Sequence, residues 1–149
     1  MSAPAPAPRS LPPGTRLRPL RAADVGEVAR LEAELFGGEA WSADLLAHEL
    51  ARSDGAGADR RYVVVEEGPD DDGQILGYAG LWYGDGRGDA DLLTIATVPR
   101  ARRRGLAAAM LGELIGLARA AGCRAVLLEV RASNDAARAL YTRHGFTAA

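Results

Sequence analysis

Lysine is absent from this 149-residue chain: its 18 basic residues are all arginine, set against 20 acidic ones for a formal charge of −2. With a pI near 5.7, no global positive field exists, which argues against a general nucleic-acid binder. The missing lysine also excludes a nucleoside-triphosphate P-loop, whose phosphates require one. The single cysteine, Cys123, excludes an intrachain disulfide framework and fits a reducing compartment. It precedes an apolar run and reads as a structural thiol. No apolar run is long enough to span a bilayer. His48, His144 and Cys123 lack metal-ligand spacing, so no metal site is expected.

Proline is scarce outside the start of the chain, where "MSAPAPAPRSLPPG" holds five of the eight. That stretch lacks the apolar core of a signal peptide. Residues 1–14 therefore read as a disordered Pro/Ala-rich head, and residues 15–149 as a single domain, cytoplasmic and monomeric by default. A hydrophobic content of 48% is enough for a real core.

"TRLRPL" is a short edge strand, limited by Pro19. Val25, Val28, Leu31, Leu35 and Phe36 recur at helical spacing, which predicts an amphipathic helix over Asp24 to Phe36. Ser42 is the N-cap of a second helix carrying Leu45, Leu46 and Leu50. "RYVVVEE" and "QILGYAGLWY" flank "GPDDDG" as a hairpin with an acidic, solvated turn. A strand from Ala90 to Val98 follows, then a helix from Gly105 to about Ala121. A strand from Ala125 to Val130 completes a parallel βαβ unit. The last helix, about Asp135 to His144, is closed by Gly145 at C′. The order is β-α-α-β-β-β-α-β-α, an α/β fold.

What is abundant is arginine in one place. "VPRARRRGLAAAML" sets Arg100, Arg102, Arg103 and Arg104 directly before a helix start. A helix N-terminus exposes unpaired N–H groups and partial positive charge. Gly105 and the alanines behind it allow close approach, and the arginines add charge that phosphate neutralises. The loop follows the C-terminal end of a strand, where α/β folds bind ligands. "GDGRGD" has the wrong spacing for a dinucleotide fingerprint, which leaves another pyrophosphate carrier.

"RRRGLA", Arg102 to Ala107, fits the Arg/Gln-x-x-Gly-x-Gly/Ala motif of the GNAT superfamily of acetyl-CoA-dependent N-acetyltransferases. "LLTIATVPRARRRGLAAAML" followed by "LEVRASNDAARALYTRHGF" resembles the branch that acetylates the N-terminal alanine of a bacterial ribosomal protein. "WSADLL" is similar to that branch's "PWS"-type segment, and the likeness covers most of Leu17 to Phe146. It implies a mixed, mostly antiparallel twisted sheet around a central parallel βαβ acetyl-CoA site. Ile95, Ala96 and Thr97 match strand contacts to the pantetheine arm. Arg103, Arg104, Gly105, Leu106, Ala107 and Ala108 match the pyrophosphate loop, and Asn134 a side chain that contacts the cofactor. The family pattern continues past "GF" with a closing strand or hairpin beside the acceptor site. Here "GFTAA" ends at Ala149, so the expectation is a fragment or a sheet one strand short with an exposed edge.

Acetyl transfer needs a neutral amine and a proton for the leaving thiolate. Glu129 interrupts the apolar run "AVLLEV" and shares a strand face with Leu127 and Ala125. Partial desolvation there would raise its pKa toward the range of a general base. It matches the family's proton acceptor; a solvent-facing strand-end glutamate is the plainer alternative. Tyr141 lies seven residues after Asn134, within about 20° of one helical line. It matches the family's proton donor, although Ala137, Leu140, Tyr141 and His144 also make an ordinary core stripe. The expected activity is acetylation of a protein N-terminal α-amine, with a small-subunit ribosomal protein beginning in alanine as acceptor. The competing readings are acetylation of a small-molecule amine and a non-catalytic acetyl-CoA-binding module. Neither nucleic acid nor membrane is expected as a direct partner.

Overall fold

The computed structural model describes residues 11–68, 73–129 and 135–147. Asn134, the acidic turn at 70–72 and residues 1–10 lie outside the described residues. The fold begins before Thr15: Leu11 packs against the core, and the Thr15 N–H and hydroxyl both donate to Pro12 O, at 3.2 and 2.6 Å. The tail end of the expected head is thus a turn leading into the sheet.

The described residues form a five-stranded sheet whose spatial order follows the chain: β1 (Thr15–Pro19), β2 (Arg60–Glu67), β3 (Gln74–Trp82), β4 (Ala90–Thr97) and β5 (Val126–Leu127). The first four strands are antiparallel neighbours, and β5 joins β4 in parallel. Among the described residues, β1 pairs with β2 alone, an edge position that suits Pro19, which has no N–H to donate. The parallel pair is bridged by α3 (Leu106–Ala121), the crossover that parallel strands need. The predicted α/β order is therefore found, with a mixed, mostly antiparallel sheet.

Before α1 (Val25–Phe36), a short 3₁₀ turn covers Ala22–Asp24, the first predicted helical residue included. The Ser42 hydroxyl caps α2 (Ala43–Ala51) by accepting the Leu45 N–H at 3.1 Å. Gly122 ends α3 at φ 101°, with the Cys123 N–H bonded to Ala118 O and the Gly122 N–H to Arg119 O. The same Schellman pattern closes α4 (Asp135–Arg143): the Phe146 N–H reaches Tyr141 O, the Gly145 N–H reaches Thr142 O, and the Phe146 ring meets Tyr141 edge-on at 5.7 Å.

The core lies on both faces of β2 and β3, whose central residues are almost all buried. Glycine makes two close approaches possible in β3. A Cβ on Gly77 would lie 2.9 Å from Ala96 O and 3.0 Å from the Met110 methyl, so α3 packs here against bare backbone. At Gly80 a Cβ would lie 2.2 Å from the Tyr62 ring, which lies across the strand. Leu106, Met110, Leu111, Leu114 and Ala118 give α3 its buried stripe. Among the described residues, no helix is long and apolar enough to cross a membrane.

Candidate active site

The β4–β5 ladder is only two residue pairs long, Ala90↔Val126 and Asp91↔Leu127. On the other side, β4 stays paired with β3 as far as Gly77↔Thr97, with a bulge between Gly80 and Leu81 that leaves Leu93 unopposed. From Leu92 to Thr97, no strand among the described residues covers the β5-side edge of β4. Backbone donors and acceptors of Ile95, Ala96 and Thr97 thus face an opening between the strands, where an extended amide-bearing chain can pair with them. All three residues are half-buried.

That edge runs into the arginine loop. A 3₁₀ turn covers Pro99–Ala101, and Arg102, Arg103 and Arg104 are exposed. Arg103 at φ 65° and Gly105 at φ 81° both take the left-handed conformation, costly for a residue with a Cβ and free for glycine. The two left-handed residues curl the backbone around the helix start. The Ala109 N–H bonds to Gly105 O at 3.0 Å and begins the α3 ladder. The amides of Leu106, Ala107 and Ala108 therefore lie in the first turn, which has no intrahelical acceptor. Leu106 and Ala108 turn their side chains into the core, and a Cβ at Gly105 would meet nothing within 4 Å. The first-turn amides and the positive helix end open at Gly105 onto free space, with exposed arginines on the same loop, an arrangement suited to a diphosphate.

Two of the arginines have acidic or amide neighbours that sequence reasoning missed. The Arg104 guanidinium lies 3.2 Å from the Glu67 carboxylate, and Arg100 donates to Gln74 at 2.6 Å and lies 3.9 Å from Glu67. These partners come from the β2–β3 end of the sheet, so no local spacing announces them.

Two expectations about β5 need correction. The strand is Val126–Leu127, not Ala125 to Val130; residue 130 lies outside the described residues. Glu129 is exposed, not partly desolvated. Val126 and Leu128 are buried in the core, while Glu129 lies two residues beyond the last β4–β5 pair, Asp91↔Leu127, and is exposed. Tyr141 is 6% exposed, with its ring in the core, and burial pushes its phenol above the ordinary value. The stripe of Ala137, Leu140, Tyr141 and His144 does face inward, and His144 Nδ1 donates to Leu140 O at 2.9 Å. Cys123 is half-buried with its Sγ 3.5 Å from Tyr83 O, and burial raises its thiol, as for a structural cysteine.

Residues 27–146 match the model of the acetyltransferase (GNAT) family. The chain belongs to that family. It is 37% identical over 131 residues to the N-alpha-acetyltransferase RimI of Mycobacterium tuberculosis, covering 85% of this chain and 75% of that protein. A Bacillus subtilis protein named as a candidate [ribosomal protein bS18]-alanine N-acetyltransferase is 32% identical over 129 residues, 87% of this chain and 78% of its own length. Among solved structures, the ribosomal-protein-S18-alanine N-acetyltransferase of Escherichia coli superposes with a TM-score of 0.72 at 27% identity, over 91% of this chain and 79% of that one. The GNAT family transfers acyl groups from acetyl-CoA, and the site fits that donor. Among the described residues, the open edge of β4 has room for an extended amide arm, and the α3 start suits a diphosphate.

Proposed function

We propose that this N-acetyltransferase acetylates the α-amino group of a protein N-terminus, with alanine of a ribosomal protein as acceptor. One observation carries the donor half: the edge of β4 left uncovered among the described residues leads, through the short 3₁₀ turn at Pro99–Ala101, into the left-handed arginine turn and the first amides of α3. What supports the acceptor half is the likeness to a protein named for ribosomal-protein alanine N-acetylation, at 32% identity, and to one named an N-alpha-acetyltransferase, at 37%, each over most of the chain. Acetyl-CoA supplies an acetyl thioester, an acyl donor already activated toward amines.

Ile95, Ala96 and Thr97 hold the pantetheine arm through backbone groups. Arg103, Arg104 and the amides of Gly105, Leu106, Ala107 and Ala108 hold the pyrophosphate, with Asn134 as a further contact. The Glu129 carboxylate accepts a proton from the incoming amine through a water molecule, which its exposed position allows. The Tyr141 phenol, kept protonated by burial, donates its proton at the departing sulfur. Phe36 and Leu45, each 44% exposed, flank the turn between α1 and α2 and form an apolar wall for the acceptor.

The test is a panel of peptides differing only in their first residue, incubated with acetyl-CoA and read by mass. The expected product is the acetylated alanine peptide, with other first residues modified more slowly. Acetylation of small amines with none of any peptide would overturn the acceptor assignment. Cofactor binding with no acetylated product at all would overturn catalysis.

A further inference from the structure

Glu32 is a carboxylate where α1 should be apolar. It stands next to Leu31 and four residues after Val28, both buried, and is itself only 2% exposed. A buried carboxylate is costly unless donors meet it. Here they come from three separate segments. The Tyr78 hydroxyl of β3 donates at 2.9 Å and the Thr94 hydroxyl of β4 at 3.2 Å, both to Oε1, while the Trp41 backbone N–H donates at 3.2 Å to Oε2.

The three donors mark the two halves of the proposed reaction. Thr94 immediately precedes Ile95, where β4 offers its free edge to the donor, and it pairs with Gly80 beside the bulge. Trp41 ends the turn that exposed Phe36 and Leu45 flank, and its ring meets Tyr62 edge-on at 6.2 Å. We infer that Glu32 is a positioning residue that fixes the acceptor turn, residues 37–42, at a set distance from the acetyl-CoA strand. The inference rests on the acetyltransfer reading of this site. It assigns Glu32 no contact with either substrate. The Glu32 carboxylate takes hydrogen bonds from two strands and a turn at once, which no apolar side chain can do.

The chemistry of the replacement decides the test. Methionine at position 32 keeps the length of the side chain and removes both acceptors. Glutamine keeps one oxygen for the Trp41 N–H, while the two hydroxyls rotate to accept from the amide. Glu32→Met is therefore expected to raise the acceptor-peptide KM by about tenfold, with Glu32→Gln staying within about threefold of the parent. The dissociation constant for acetyl-CoA, measured by calorimetry, should stay within about twofold for both. In a Trp82→Phe background, Trp41 is the remaining indole, and Glu32→Met should shift its emission to the red.

Equal acceptor KM in Glu32→Met and the parent overturns the inference, whatever the fluorescence shows. So does a KM change matched by an equal loss of acetyl-CoA affinity, which is the signature of general loosening. Should Glu32→Met fail to fold, Thr94→Val removes a single donor and is expected to raise acceptor KM by about threefold, with no change again overturning the inference. A parent chain that binds acetyl-CoA but acetylates no amine marks failure of the underlying reading instead.

Discussion

The Arg104 guanidinium and the Glu67 carboxylate sit 3.2 Å apart, one on the loop before α3 and the other at the end of β2. A negative charge thus occupies ground beside the loop that is read as the diphosphate site. The pair is half-exposed, so its own strength is small and screened by salt. A diphosphate must compete with it for the same guanidinium. Glu67→Gln is therefore expected to tighten acetyl-CoA binding by about two- to fivefold at low salt, with the gain fading by about 0.2 M salt. Calorimetric titration at two ionic strengths checks this, and weaker binding in the variant would place the diphosphate elsewhere.

A second prediction concerns Gly80, where a methyl group would come within 2.2 Å of the Tyr62 ring. The ring has little room to retreat: its hydroxyl donates to Glu49 at 2.7 Å, and Trp41 meets it edge-on. Gly80→Ala should cost about 1–3 kcal/mol through overpacking. At this chain length that lowers the melting temperature by roughly 3–10 °C. Placing Gly80→Ala in a Tyr62→Leu background should remove most of the difference, since the clash partner is gone. Thermal unfolding of the four chains gives the answer.

Much of this architecture was legible in the chain because it rests on local signals. The Ser42 cap, the Gly145 closure and the periodicity of α1 each act within a few residues. The arginine loop was legible for the same reason, since a helix start and its preceding turn are contiguous. Glu129 is not legible in the same way because its exposure depends on where β5 stops: the last β4–β5 pair is Asp91↔Leu127, and Glu129 lies two residues beyond it. Glu32 went unread although the signal was present: a charge sits at a stripe position between Val28 and Leu35. Its donors lie as far as 62 residues away, at Thr94, and no periodicity reaches them.

Acid should loosen the fold through Arg18. That side chain donates to both Asp24 oxygens, at 2.7 and 2.9 Å, and to Glu66 at 3.0 Å. The Arg18 hydrogen bond, helped by Arg16, holds the Glu66 carboxyl below the ordinary range despite burial. Burial pushes Asp24 up, but Arg18 and the Arg21 N–H outweigh it and leave the group lowered too. A lowered native pKa means the folded chain binds fewer protons than the unfolded one as pH falls. The stabilisation is thus present above the ordinary carboxylate range and is lost below it. Urea midpoints should fall between about pH 5 and about pH 3, with a shallower slope in Arg18→Met. That variant should also lose about 1–3 kcal/mol at neutral pH, since each carboxylate loses its Arg18 donors while Glu66 keeps Arg16 and Asp24 keeps the Arg21 N–H.

Tyr141 separates a packing role from a chemical one. Its ring lies in the core against Phe146 at 5.7 Å, and phenylalanine preserves that contact. Burial raises the phenol, so its proton stays in place throughout any neutral assay. A proton donor to the departing sulfur then contributes to kcat and hardly at all to binding. Tyr141→Phe is expected to lower kcat by about 10²-fold while KM for either substrate moves less than about threefold. The parent's kcat should show no basic limb from this group until pH passes about 10, the ordinary phenol value. An unchanged kcat in a well-folded Tyr141→Phe would reduce the residue to core packing and leave the sulfur's proton to come from water.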